Sequence, residues 1–239
     1  MDVTQRRIRR VGHKGADLIV PGNTRESFDA ALAAGVDMIE FDVLPSTREA
    51  GGELWLAHDP HDLRRRTPLT LEEGLAHLAA EPFAGIELDV DLKLPGYELR
   101  VLSALREYGL LERALISSTF RRSLAVLRAA APEVRLGWSI PGVRRDPFVS
   151  PWLRPLGVLA VEAGRRVFPA RAAAAIRSGS VDALMAHWRL ITPGLVRAVN
   201  SAGGELYAWT VDDPKLIARL AALGVTGIIS NDPRLLAHA

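Results

Sequence analysis

MIEFDV, residues 38–43, has the alternation of a β-strand, yet it sets two carboxylates, Glu40 and Asp42, on one face. Spacing i, i+2 in a strand puts both side chains on the same side, roughly 6.5–7 Å apart along the chain. A strand covered on both faces should carry Val, Ile and Leu inside, so an interior carboxylate must be paired, protonated or metal-bound. GIELDVDLK, residues 85–93, repeats the pattern with Asp89, Asp91 and Lys93. Taken alone, E-x-D in a strand is more often a solvent-facing edge; the rest of the chain determines which reading holds.

Working outward, short β-branched or apolar runs alternate with longer Ala/Leu/Arg segments of helical period. Strands are expected at Arg9 to His13, Met38 to Val43, Leu54 to His58, Gly85 to Lys93, Ala114 to Ser118, Val134 to Ile140, Val181 to Ala186, Leu206 to Val211 and Gly227 to Ser230. Helices fit between them: Thr24 can cap one, Thr70 with Glu73 forms a capping box, and Gly35, Gly109 and Gly224 sit where helices end. The rhythm is α/β, and nine strands are available where a (β/α)8 barrel needs eight. Four strands carry polar residues at their C-terminal ends: His13; Glu40 and Asp42; His58 with Asp59; Asp89, Asp91 and Lys93. In such a barrel those ends form one face, the active-site face.

No Ser/Gly/Pro-rich linker interrupts the chain, and Pro141 to Pro155 is the only long loop-like stretch, so residues 1–239 read as a single domain. Only ten residues, Leu44 to Glu53, join the strand of Asp42 to that of His58. That is too short for a crossover helix, so the expectation is an extended return down the barrel, leaving the two strand tops parallel.

Composition narrows the function. Hydrophobic residues make up 48% and charged residues 24%, a profile that excludes a disordered chain. Thirty Lys+Arg against 28 Asp+Glu give a formal charge of +2, and the arginine clusters lack aromatic interleaving, so no nucleic-acid partner is expected. Cysteine is absent, which excludes disulfides, thiolate metal sites and thiol nucleophiles. Any metal must therefore use oxygen or nitrogen ligands, and paired carboxylates favour a hard divalent cation, Mg²⁺ or Ca²⁺. With no signal-like or membrane-spanning run, a cytoplasmic protein is expected.

The segments GHKGAD around His13, PGNTRESF from Pro21, DMIEFDV from Asp37, LAHDP from Leu56, VDLK from Val90, AWTVDDP from Ala208 and GVTGIISNDP from Gly224 resemble, in order, the glycerophosphodiester phosphodiesterases. The resemblance spans almost the whole chain. It implies a phospholipase-C-like TIM barrel, His13 and His58 as catalytic histidines, and Glu40, Asp42 and Asp91 as metal ligands. Asp91 stands where the family usually has the glutamate of an E-x-K pattern, and Lys93 matches the lysine. Lys14 replaces the arginine of H-R-G, and Gly22 the glutamate of E-N-T. The cap-like insertion that many members carry after the second histidine is not evident between Pro60 and Thr70.

The expected reaction is metal-dependent hydrolysis of a small glycerophosphodiester to glycerol 3-phosphate and an alcohol. One histidine would deprotonate the nucleophile and the other protonate the leaving oxygen, an assignment left open here. Lys14, Lys93 and Trp209 are expected to contact substrate. Two rivals use the same residues: phospholipase D-like cleavage of lysophospholipids, and a catalytically degenerate barrel that binds phosphate esters without turnover.

Overall fold

A computed structural model describes residues 7–46, 51–62, 67–142, 150 and 152–237. Among them run nine strands: β1 (Arg9–Gly12), β2 (Met38–Pro45), β3 (Leu54–Leu56), β4 (Glu87–Leu92), β5 (Ala114–Ser118), β6 (Arg135–Ile140), β7 (Ala183–His187), β8 (Glu205–Trp209) and β9 (Gly227–Ser230). Seven α-helices accompany them: α1 (Arg25–Ala33), α2 (Leu71–Leu78), α3 (Glu98–Glu107), α4 (Arg121–Ala130), α5 (Arg154–Arg177), α6 (Pro193–Ser201) and α7 (Pro214–Leu223). Parallel pairing in the order β1-β9-β8-β7-β6-β5-β4-β2, closed by β1 on β2, makes an eight-stranded barrel. No helix of the described residues is long and apolar enough to cross a membrane.

The ninth strand is a correction. β3 pairs antiparallel with the protruding end of β2, Val43 opposite Leu56 and Pro45 opposite Leu54. The connection of residues 44–53 is therefore the turn of a hairpin and not a descent along the barrel; residues 47–50 lie outside the described set. A descent would leave extended backbone without partners, whereas the hairpin pairs residues 43–45 with 54–56 and adds Ser46 N–H on the Glu53 carbonyl at 2.8 Å. The fold-back still brings His58 to the barrel mouth. The long loop expected at 141–155 is cut short by α5, and its residues 143–149 and 151 lie outside the described set.

Local chemistry sets the helix ends. Thr24 caps α1 through the Ser27 amide, and Thr70 caps α2 in a capping box with Glu73. Thr192 and Asp213 cap α6 and α7, each followed by proline at the first helical position. Gly224 ends α7 with φ of +85°, a left-handed conformation costly to other residues.

The barrel is closed at its N-terminal end by charge. Arg9, Glu87, Arg135 and Glu205 come from alternate staves and form a ring: Arg9 bonds Glu205 (2.6 Å) and lies 3.2 Å from Glu87, and Arg135 bonds Glu87 (2.9 Å) and Glu205 (2.6 Å). Above it Val11, Met38, Leu115, Ala183 and Tyr207 fill the interior. Tyr207 needs Gly227 beside it, where a Cβ would stand 2.6 Å from the ring. Only the C-terminal end opens to solvent.

Candidate active site

Register brings the acids together. β2 and β4 pair with Glu40 opposite Asp89 and Asp42 opposite Asp91, so the carboxylates meet on the inner face of neighbouring strands. Glu40, Asp42 and Asp91 each offer an oxygen within 4.8 Å of the others. Lys93 sits among them, its Nζ 2.5 Å from both Asp42 Oδ1 and Asp91 Oδ2. Glu40, Asp91 and Lys93 border a cavity of about 650 Å³ at the barrel mouth, lined also by His13, His58, Asp89, Ser117, Ser139 and Trp209.

The site carries more negative charge than one lysine offsets. Burial, then the neighbouring charge of Asp42, pushes the Glu40 carboxyl well above its usual range. Burial and Asp91 push Asp89 up to about 8. Asp42 goes the other way: burial opposes its ionisation, but the charge of Lys93 against it outweighs burial and holds it low. Burial likewise opposes the charge on Lys93, yet Asp42, Asp91 and Glu40 keep the ammonium protonated. Asp91 Oδ1 and Asp89 Oδ1 are buried without a hydrogen-bond partner. Surplus charge, unpartnered oxygens and an all-carboxylate donor set fit a hard divalent cation held by Glu40, Asp42 and Asp91.

Two ligands are held from behind. Asn23 donates from Nδ2 to Asp42 Oδ2 (2.9 Å) and accepts the Asp42 amide (3.1 Å). Glu40 Oε2 accepts the Lys14 amide at 2.8 Å. Both backbones are left-handed, Lys14 with φ of 49° and Asn23 with φ of 57°. The Lys14 carbonyl secures this turn by accepting from the Asn23 amide (2.9 Å) and Ser27 Oγ (2.6 Å).

Lys14 is not part of the cavity lining: its Nζ donates to Asp17 Oδ2 at 2.7 Å. Asp17 Oδ1 in turn accepts the Gly22 amide (2.8 Å), and a Cβ at position 22 would stand 2.6 Å from that oxygen. Asp17 thus sits beside Gly22, in space that a side chain at position 22 would take.

His13 is oriented by a relay. Its Nδ1 lies 2.6 Å from Asn231 Oδ1, while Asn231 Nδ2 donates to Asp212 Oδ2 at 2.7 Å and the Asn231 amide to Asp212 Oδ1 at 2.8 Å. A carboxylate only accepts, so Asn231 must turn its NH₂ to Asp212 and its oxygen to His13. His13 Nδ1 therefore carries the proton, and Nε2, 3.9 Å from Glu40 Oε2, presents a lone pair. Burial, partly offset by Asp42, lowers the His13 pKa below its usual value, so the ring is neutral near pH 7. His58, half exposed on the hairpin return, has its Nδ1 3.5 Å from Asp59 Oδ2, and its amide donates to Asp62.

Trp209 is fixed by its Nε1 donating to the Met185 carbonyl (2.9 Å) and by edge contact with His187. The cavity thus gathers His13, His58, Glu40, Asp91, Lys93 and Trp209, with Asp42 buried beside Lys93. Sequence reasoning missed Asn23, Asp17, Asn231 and Asp212. All four lie inside quoted motifs, but their task is visible only in three dimensions.

Residues 13–72 and 87–235 match the model of the Glycerophosphoryl diester phosphodiesterase family. The chain belongs to this family. As a glycerophosphoryl diester phosphodiesterase it is a phosphoric diester hydrolase, and its three carboxylates form the acidic cluster able to chelate a divalent cation. It is 29% identical over 260 residues to a glycerophosphodiester phosphodiesterase of Caldanaerobacter subterraneus, covering 95% of each chain. It also resembles the crystal structure of a glycerophosphodiester phosphodiesterase from Parabacteroides distasonis (TM-score 0.70, 18% identity, 96% of each chain). A phosphodiesterase from Oleispira antarctica, solved in complex with sn-glycerol-3-phosphate, is similar with a TM-score of 0.67 and 19% identity, over 96% of this chain and 95% of that one.

Proposed function

We propose that this glycerophosphoryl diester phosphodiesterase hydrolyses a small glycerophosphodiester to glycerol 3-phosphate and an alcohol, using Mg²⁺ or Ca²⁺ on Glu40, Asp42 and Asp91. The whole activity resides in one barrel domain without an inserted cap. The observation that carries this reading is the meeting of three carboxylates, a half-buried lysine and two histidines around one cavity. When bound, the cation supplies Lewis-acid stabilisation of charge on a nonbridging phosphate oxygen.

The protein's own groups do the rest. His13, neutral with a free Nε2, takes the proton of the attacking water or of a neighbouring substrate hydroxyl, and Asn231 receives the ring's other N–H throughout. His58, at the open side of the cavity, protonates the departing alcohol oxygen. Lys93 balances charge that develops on phosphate, and Lys14 adds to the same positive field from beside Asp17. Trp209 offers an apolar wall for the glycerol carbons.

The test is phosphorus NMR of glycerophosphocholine, glycerophosphoethanolamine, glycerophosphoinositol and lysophosphatidylcholine incubated with the protein and each divalent ion or EDTA. EDTA-sensitive release of glycerol 3-phosphate from the short diesters supports the reading. Cyclic phosphate from the lipid supports phospholipase D-like cleavage, and absence of turnover on all four contradicts hydrolysis of this substrate class.

A further inference from the structure

Helix α5 has 24 residues, about 36 Å at 1.5 Å per residue, whereas the other α-helices have 8 to 10. Its later part docks on the barrel: Gly164 lies so close to Leu190 that a Cβ would stand 2.8 Å away, and Ala172, Ala175 and Ile176 are buried. Its beginning does not dock. In residues 152–160, WLRPLGVLA, only Gly157 is buried. Trp152 is 90% exposed, Leu159 67% and Leu156 63%, a contiguous apolar surface unusual on a chain that meets only water. Arg165 donates to the Arg189 carbonyl (2.9 Å), just past the C-terminal end of β7, so the helix residues before it extend beyond the barrel on the side of the mouth.

Charge indicates what covers it. Arg154 is the only charged residue between positions 152 and 161, and the first acid after it, Glu162, is bonded to Arg165 at 2.5 Å. A second copy of the chain meeting this face would enclose two Arg154 side chains with no carboxylate from either patch to pair them. An anionic bilayer accepts both features, the exposed Arg154 and Arg166 at the phosphates and the Trp and Leu side chains below them. We propose that the N-terminal end of α5 seats in the surface of an anionic lipid bilayer, holding the barrel mouth at headgroup level.

The test is flotation of the full chain with vesicles of equal phosphatidylglycerol and phosphatidylcholine, or of phosphatidylcholine alone. The protein should float with the anionic vesicles, less in raised salt and less with phosphatidylcholine. Leu156→Gln with Leu159→Gln should lower the partition coefficient at least about tenfold. Arg154→Glu with Arg166→Glu should remove the preference for anionic lipid. All four sites are exposed, so circular dichroism and hydrolysis of a water-soluble diester should stay unchanged. Failure to float with either vesicle overturns the proposal, as do variants that float like the parent. A concentration-dependent dimer that the leucine variants dissolve, without vesicle binding, assigns the face to a second copy and also overturns it. Flotation does not depend on turnover, so its failure leaves the proposed reaction standing.

Discussion

Asn231→Ala removes the acceptor that fixes His13 while touching none of the three carboxylates assigned to the cation, Glu40, Asp42 and Asp91. The lost bond is short, 2.6 Å, and its partner His13 is mostly removed from solvent, with 19% of its side chain exposed. A bond of this kind contributes about 1 kcal/mol net and more when its partner is left buried and unpaired, a factor of roughly 5–30. A second loss follows from the tautomer. Without Asn231 the Nδ1 proton has no fixed acceptor, and part of the population moves it to Nε2, the nitrogen that must be bare. Together these predict a fall in kcat of about 10- to 100-fold, within what general base catalysis is worth, with KM changed less than about twofold. The assay is steady-state hydrolysis of glycerophosphocholine in saturating divalent ion. His13→Ala provides the control: in a double-mutant cycle, Asn231→Ala should cost little once the imidazole is gone. A parental kcat, or an equal loss in the presence and absence of His13, would refute the relay.

Other expectations follow from the same geometry. Asn23→Gly keeps the left-handed backbone but deletes both bonds to Asp42, so affinity for the divalent ion should fall about 10- to 100-fold by calorimetry. Gly22→Ala forces a Cβ against Asp17 and Lys14, and the displaced Lys14 should show as a severalfold rise in KM with a smaller change in kcat. Arg135→Met opens the charged ring; with side chains some 28–29% exposed, the cost is about 1–3 kcal/mol and the midpoint should fall by about 2–4 °C for each. The ring also sets an acid dependence. Burial opposes ionisation of Glu205, but Arg135 and Arg9 outweigh it and depress its pKa. Its contribution is therefore complete above the ordinary glutamate range, about pH 4.5, and is lost as pH falls through the depressed value. In Arg135→Met the acid-induced drop in melting temperature should be smaller, and a drop as steep as the parent's would count against the ring.

Much of this was legible because the barrel writes its inside and outside into alternate residues. Glu40 and Asp42 on one strand, Asp89 and Asp91 on the next, broke the apolar rule at the end where function belongs. The β2–β4 register then placed them side by side. Leu54 to His58 misled because a short apolar run has the same appearance in a stave and in a hairpin return. What separates them is backbone pairing beyond the barrel rim, which side-chain alternation does not encode. Asp17 was illegible for a different reason: its role exists only because a left-handed turn at Lys14 and the missing Cβ of Gly22 let it swing under the ammonium. The exposed start of α5 was hidden because its apolar residues follow a helical period, and the period alone does not reveal that nothing packs on them.

The central claim is that two histidines act on a phosphodiester beside a carboxylate-held cation. The most direct measurement is turnover of glycerophosphocholine by the parent, His13→Ala and His58→Ala in saturating Mg²⁺ or Ca²⁺, with ion binding followed calorimetrically in the same preparations. The account predicts that each substitution lowers kcat by at least about 100-fold while the ion still binds, and that EDTA abolishes parental turnover. Turnover that survives EDTA, or that survives loss of both imidazoles, would contradict it.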